Sequence, residues 1–196
     1  MIQIIPLTGM PEIAPGCDLP ALLAEALVRV DAAPVAGDIL VVTQKIVSKA
    51  EDCFVRLDSV TPGAEAIALS EKVRKDPRLV ELVLRESTAV IRTAPNVLIV
   101  RHRLGHVMAN AGIDASNIGG GDARVLLLPK DPDESAQRIA RDLATRFGIA
   151  PGVVISDSFG RPWRYGVVNV AVGVSGIESL IDRRGESDRD GRVLQV

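Results

Sequence analysis

The sequence predicts an α+β domain of mixed sheets flanked by helices, and three observations carry that prediction. Strand-like and helix-like segments follow one another without the regular alternation of a doubly wound sheet. The strand candidates are short apolar runs such as Ile39 to Thr43, the pattern of strands buried on both faces. The clearest helix, Pro132 to Phe147, is amphipathic and needs a sheet or another helix over its apolar side. With 196 residues the chain reads as a single domain, 1–196, able to bury a core without disulfide or metal staples.

The elements follow in order. Ile2 to Leu7 is the first expected strand, ended by Thr8-Gly9-Met10-Pro11. Leu19 to Val30 is an expected helix because Leu19, Leu22, Leu23, Ala26, Leu27 and Val30 recur at helical spacing. Gly37-Asp38 turns the chain into the strand Ile39 to Thr43, and a loop or helix carrying Lys45 and Lys49 follows. Residues 61–95 read as helical, with Asp76-Pro77 opening a second helix that ends near Ser87. Val97 to Val100 and Arg124 to Leu128 are expected strands around HRLGHVMANAGIDASNIGGGD, a polar, glycine-rich stretch too long for a plain connector.

In the helix Pro132 to Phe147, Asp131 is the N-cap, Pro132 sits at the first position, Glu134 completes a capping box and Gly148 stops the helix. Val153 to Ile155 is then a buried strand that delivers Ser156-Asp157-Ser158 at its end, ahead of the turn FGRPWRYG. Val167 to Val174 is the last expected strand.

Composition excludes several functions. Lys plus Arg is 23, Asp plus Glu is 25 and the net charge is -2, so no global field holds nucleic acid or an acidic membrane. Aromatics are 3%, too few for base-stacking platforms. No apolar run reaches the length of a membrane span and no secretory pattern opens the chain. Cys17 and Cys53 lack metal or redox spacing and fit a reducing compartment, so the expected location is the cytoplasm.

The common chemical fingerprints are missing. There is no GxxxxGK[ST], and Gly119-Gly120-Gly121 is not a GxGxxG; it reads as loop. His102 and His106 are four apart without an intervening metalloprotease glutamate and read as loop or core residues. Oxygen donors and cations remain. Asp114, Asp157 and Ser158 suit a hard divalent cation, which takes few protein oxygens and shares the rest with phosphate and water. An Asx-turn of Asp114 with Ser116 and Asn117, and a strand-end cap at Asp157, explain the same residues. Lys45 and Lys49 suit phosphate or a solvated helix face. Arg161, Trp163 and Arg164 suit an anion-binding surface or a cation-aromatic brace.

Four segments, GDILVVTQKIVSKAE, ANAGIDASNI, LLLPKDPDESA and VVISDSFGRPWRYGVVNVAVGVSGI, resemble the coenzyme F-420 gamma-glutamyl ligases in order, spacing and flanking turns, from about Ile4 to Leu194. The resemblance implies a two-lobed gamma-glutamyl ligase-like fold and an intertwined homodimer with the active site near the subunit interface. It implies a GTP-dependent amide ligase that adds L-glutamate to the phospholactyl carboxylate of F-420-0, then further gamma-linked glutamates, releasing GDP and phosphate through an acyl phosphate. No covalent nucleophile is implied. Divalent metal, two magnesium or manganese ions accompanied by potassium, is implied at Asp114, Asp157 and Ser158. Nucleotide contacts are implied at Thr8, Gly9, Met10, Pro11, Gln44, Lys49 and Asn117.

Two departures stand out. Gln44 occupies a position where a small hydroxyl residue is common in the family, and family chains continue past RDGRVLQV with an acidic helical segment. A chain lacking that segment is the expectation. The alternatives are a non-catalytic nucleotide-binding or dimerisation module, or a related nucleotide-dependent ligase acting on another carboxylate.

Overall fold

The computed structural model describes residues 1–118, 124–160 and 165–195. Among these, five α-helices and eight strands follow in the order α1 (Leu19–Arg29), β1 (Ile39–Thr43), α2 (Gln44–Ala50), β2 (Phe54–Arg56), α3 (Ala64–Val73), α4 (Pro77–Arg85), β3 (Ser87–Ala94), β4 (Val97–His102), β5 (Val107–Ala109), β6 (Arg124–Leu126), α5 (Pro132–Phe147), β7 (Gly152–Gly160) and β8 (Val167–Ser175). They form three small sheets, in the orders β1-β7-β8, β2-β6 and β3-β4-β5. The first is mixed, since β1 runs parallel to β7 while β8 returns antiparallel. The α+β class with flanking helices is therefore what the chain adopts; of its three described sheets one is mixed and two are antiparallel.

Local chemistry sets the helix ends. The Asp18 carboxylate accepts the Ala21 N–H at 2.9 Å at the start of α1, and Asp131 accepts the Glu134 N–H at 3.0 Å at the start of α5. Each satisfies an amide that the first helical turn leaves without a partner. Gly148 closes α5 in the left-handed region, φ 77°, which glycine enters without steric cost.

The main core lies between the mixed sheet and the helices α1 and α5. Leu23, Leu27, Val42, Ile139, Leu143, Val153 and Ile155 meet there, all less than one-tenth exposed. A second cluster packs α3 and α4 against β4 through Val73, Val80, Val83, Leu98 and Val100. The Leu-, Ile- and Val-built interior is the one that the low aromatic content requires.

Three expectations are corrected. Residues 2–7 form no strand, and Ile2 and Ile4 stand exposed; a strand exists only against a partner that takes its amides and carbonyls, and none is beside this run. The expected helical reading to residue 95 ends at Arg85, because Ser87–Ala94 is β3. Its Thr88, Val90, Ile91 and Thr93 favour a pleated surface, and Pro95-Asn96, with Asn96 at φ 64°, turns it back onto β4. Ser156-Asp157-Ser158 lies inside β7, not at its end, since pairing with β8 continues to Gly160. The readings of Gly119-Gly120-Gly121 and of Arg161, Trp163 and Arg164 lie outside the described residues.

Candidate active site

The parallel ladder of β1 and β7 builds the site. Thr43 is in register with Ser156, so the next residue on each strand, Gln44 and Asp157, arrive side by side. Gln44 is the first residue of α2 and is 2% exposed. Asp114 comes from the other side of the chain: its backbone pairs with Leu126 through two N–H···O bonds of 2.9 Å. That bridge carries the residue onto Gln44, whose Nε2 donates to Asp114 Oδ2 at 2.8 Å. The other end of the amide, Oε1, accepts the Ser48 hydroxyl at 3.0 Å.

Two carboxylates therefore converge on one buried amide. Asp157 is half-buried, and its carboxyl is held above the ordinary range first by burial and then by the negative charge of Asp114, with the Ser158 amide, Gln44 and Lys45 acting in the opposite direction. The Ser158 N–H donates to Asp157 Oδ1 at 2.8 Å. Lys45 stands 3.6 Å from Asp114 Oδ2 and donates to the Ser116 carbonyl at 3.2 Å. Two like charges moved out of water are relieved by a proton on one of them or by a cation between them. Asp114 Oδ1 takes no protein donor among the described contacts, which fits the few-oxygen demand of magnesium or manganese.

The Ser158 hydroxyl is not drawn into this cluster by any described contact. Neighbouring strand residues point to opposite faces, and its exposed hydroxyl donates to Asn169 Oδ1 across the β7–β8 pair at 3.0 Å. Among the described residues no group of three His, Cys, Asp or Glu side chains gathers.

Helix α2 links the carboxylates to the N-terminal loop. Lys45 and Lys49 lie one turn apart on one stripe of α2, neighbours at the spacing of about 5–6 Å for i,i+4 residues. Lys45 faces Asp114, while Lys49, 6% exposed, holds Glu12 Oε1 at 2.5 Å. The Lys49 ammonium, chiefly through that hydrogen bond, holds the Glu12 carboxyl below its usual range. The loop itself is tied down by Arg29, whose Nη1 donates to the Thr8 carbonyl at 3.0 Å and the Gly9 carbonyl at 2.8 Å. Thr8, Gly9 and Pro11 are exposed and Met10 is packed against the main core. Asn117, exposed at φ 57°, stands next to the Ser116 carbonyl that Lys45 holds. Glu12, the partner of Lys49, has no sequence signal that marks it.

The remaining sequence candidates stand apart. His102 is buried in β4, where its Nδ1 accepts the Leu104 N–H at 3.0 Å, the core role expected of it. His106 meets Phe159 of β7 edge to face, centroids 5.7 Å apart, and burial lowers its pKa. Cys53 is pushed up to about 11, mainly by burial, so its thiol is a poor nucleophile. No described helix is long and apolar enough to cross a membrane.

The family model described as F420-0:Gamma-glutamyl ligase matches residues 9–196. The chain belongs to that family. It is 43% identical to the "Coenzyme F420:L-glutamate ligase" of Methanopyrus kandleri over 195 residues, covering 100% of this chain and 75% of the relative. The ligase of the same name from Methanothermobacter thermautotrophicus is also 43% identical over 195 residues, with 100% and 77% covered. For that of Halobacterium salinarum the figures are 44% over 194 residues, 96% and 72%. All four segments that carry the resemblance fall inside the matched range of this gamma-glutamyl ligase family, and Asp114, Gln44, Lys49 and Asp157 lie in three of them.

Proposed function

We propose that the protein ligates L-glutamate to the phospholactyl carboxylate of F-420-0, using GTP, and then extends the product through gamma-linkages. One observation supports this reading most directly: Asp114 and Asp157 converge beside Gln44, and the Lys45–Lys49 stripe leads from them to the loop of Thr8, Gly9, Met10 and Pro11. A nucleotide laid along that stripe has its phosphates between the carboxylate pair and Lys49.

The chemistry asks for no covalent nucleophile. A carboxylate is a poor electrophile, so its oxygen first attacks the γ-phosphorus of GTP; the bond to GDP breaks and an acyl phosphate forms. The glutamate amine, having lost a proton to solvent, then attacks the acyl carbon, the C–N bond forms and inorganic phosphate departs with the C–O electron pair. Catalysis is then chiefly positioning and charge neutralisation. Asp114 and Asp157, with Ser158 as the third candidate ligand, would hold a divalent ion, which would supply neutralisation of phosphoryl charge. Lys49, buried and already charged, binds a terminal phosphate in place of Glu12, and Lys45 keeps Asp114 oriented. Asn117 completes the residues assigned to the nucleotide side, and Gln44, also expected there, has its amide turned to Asp114 and Ser48.

The same reading takes magnesium or manganese as the divalent ions with potassium beside them, a cytoplasmic location, and a homodimer. Ile39 and Val41, 54% and 62% exposed on the outer face of β1, give a second copy an apolar surface to cover. Incubation of the protein with F-420-0, L-glutamate, GTP and manganese should give GDP and a product heavier by one glutamyl residue in the mass spectrum. Absence of both would overturn the proposal, and elution as a monomer at micromolar concentration would remove the dimer from it.

A further inference from the structure

The side chain of Gln44 is fully engaged and closed off from solvent. It is 2% exposed, its Oε1 takes the hydroxyl of the fully buried Ser48, and its Nε2 donates to Asp114 Oδ2. Gln44 also acts to lower the Asp157 carboxyl pKa, which fits an amide end turned toward the carboxylate pair. A side chain in this position has no free polar atom for a base, a ribose or a phosphate.

We propose that Gln44 is a positioning residue for the carboxylate pair and not a nucleotide contact: its buried amide fixes Asp114 Oδ2 and leaves Oδ1 to the divalent cation that Asp114 and Asp157 share. Lys45 falls on the same Oδ2, at 3.6 Å, so both described donors take one oxygen and spare the other. The Ser158 N–H does the equivalent at Asp157 by taking Oδ1. The result, among the described contacts, is an Asp114 with Oδ2 committed and Oδ1 available. Ser48, one turn along α2, fixes which end of the amide points at the acids, because its hydroxyl donates to Oε1 and so turns Nε2 toward Asp114. Groups that orient metal ligands in this way typically contribute about 10–100-fold to metal affinity.

This inference rests on the metal reading given above, and the experiment separates the two. Manganese binding is followed by the loss of the free-ion EPR signal, with no substrate present, for the full chain and for Gln44→Met, Gln44→Ala and Asp114→Asn. Gln44→Met keeps the length and packing of the side chain while removing its hydrogen bonds, so it serves if Gln44→Ala fails to fold. Both Gln44 variants should bind manganese about 10–100-fold more weakly, with an unchanged thermal midpoint for metal-free Gln44→Met and an unchanged GDP dissociation constant in EDTA. Wild-type manganese affinity in Gln44→Met overturns the positioning role. A loss of GDP affinity in EDTA without a loss of manganese affinity makes Gln44 a nucleotide contact and overturns it equally. If the unaltered chain binds no manganese, or Asp114→Asn binds it as well, the metal reading itself fails and this inference with it.

Discussion

Lys49, only 6% exposed, has its ammonium held by Glu12, whose side chain is 83% exposed. A buried cation is thus balanced by an anion at the surface, on a loop that only backbone carbonyls tie to Arg29. Such a cation is costly to leave alone, and any anion that reaches it competes with Glu12. Lys49→Met should weaken GTP by about 10–100-fold, the worth of a charge-assisted hydrogen bond of about 1.5–3 kcal/mol, measured by titration calorimetry. Glu12→Gln should lower the thermal midpoint of the free protein, and GTP should restore more of it than in the wild type.

Asp157 contributes to the pH dependence of stability in its own direction. Its carboxyl sits above the ordinary 3.8 because burial and Asp114 disfavour its charge, so the folded chain binds that proton more tightly than the unfolded chain. The stability it contributes is complete below about pH 3.8 and declines as pH rises through the raised value. Asp157→Asn, which cannot ionise, should therefore be more stable than wild type at neutral pH without metal, with the gain vanishing toward the acid end of a series of melts. Manganese should stabilise the wild type at neutral pH and leave the variant unmoved.

Gly112, two residues before Asp114, has φ 68°, and a Cβ there would lie 2.7 Å from Met108 Cε and 3.1 Å from Leu128 Cδ1. Gly112→Ala meets a left-handed penalty of about 1–2 kcal/mol before any crowding. The variant should melt lower and also bind manganese more weakly, because the turn that delivers Asp114 is displaced. A lower melt with wild-type metal affinity would separate the turn from the site.

Leu143, fully buried on α5 between the mixed sheet and α1, tests the core. Leu143→Ala should cost about 2–5 kcal/mol, read as a lower midpoint in urea with an unchanged slope.

How much of this was legible in the sequence depended on how local the cause was. Helix α5 was readable to the residue, because Asp131, Pro132 and Gly148 act within one turn of its ends. Helix α1 was readable to within one residue for the same reason. Strand β3 was not, since STAVIRTA follows directly on a helix and its strand character needed the hairpin partner β4. The apolar run at residues 2–7 failed in the opposite sense: a suitable pattern with nothing to pair with. In the site, Asp114 and Asp157 were visible as oxygen donors, but their meeting depends on the Thr43–Ser156 register and on the Asp114–Leu126 bridge, which join parts of the chain far apart in sequence. Glu12 was invisible, because no spacing relates it to a lysine 37 positions away.

The parallel β1–β7 ladder has a consequence for how the chain can be rearranged. The separation of Gln44 from Asp157 is measured by backbone hydrogen bonds between two adjacent strands and not by the more than one hundred residues that connect them. Those connections can be lengthened, or cut and rejoined elsewhere by circular permutation, without moving one residue relative to the other. A single residue inserted within either strand is different in kind: it brings Thr43 to the place of Gln44 or Ser156 to the place of Asp157 and turns every side chain beyond it to the other face of the sheet. For the Gln44–Asp157 separation, the length of chain that matters is thus that of two short segments, Ile39–Thr43 and the first half of Gly152–Gly160.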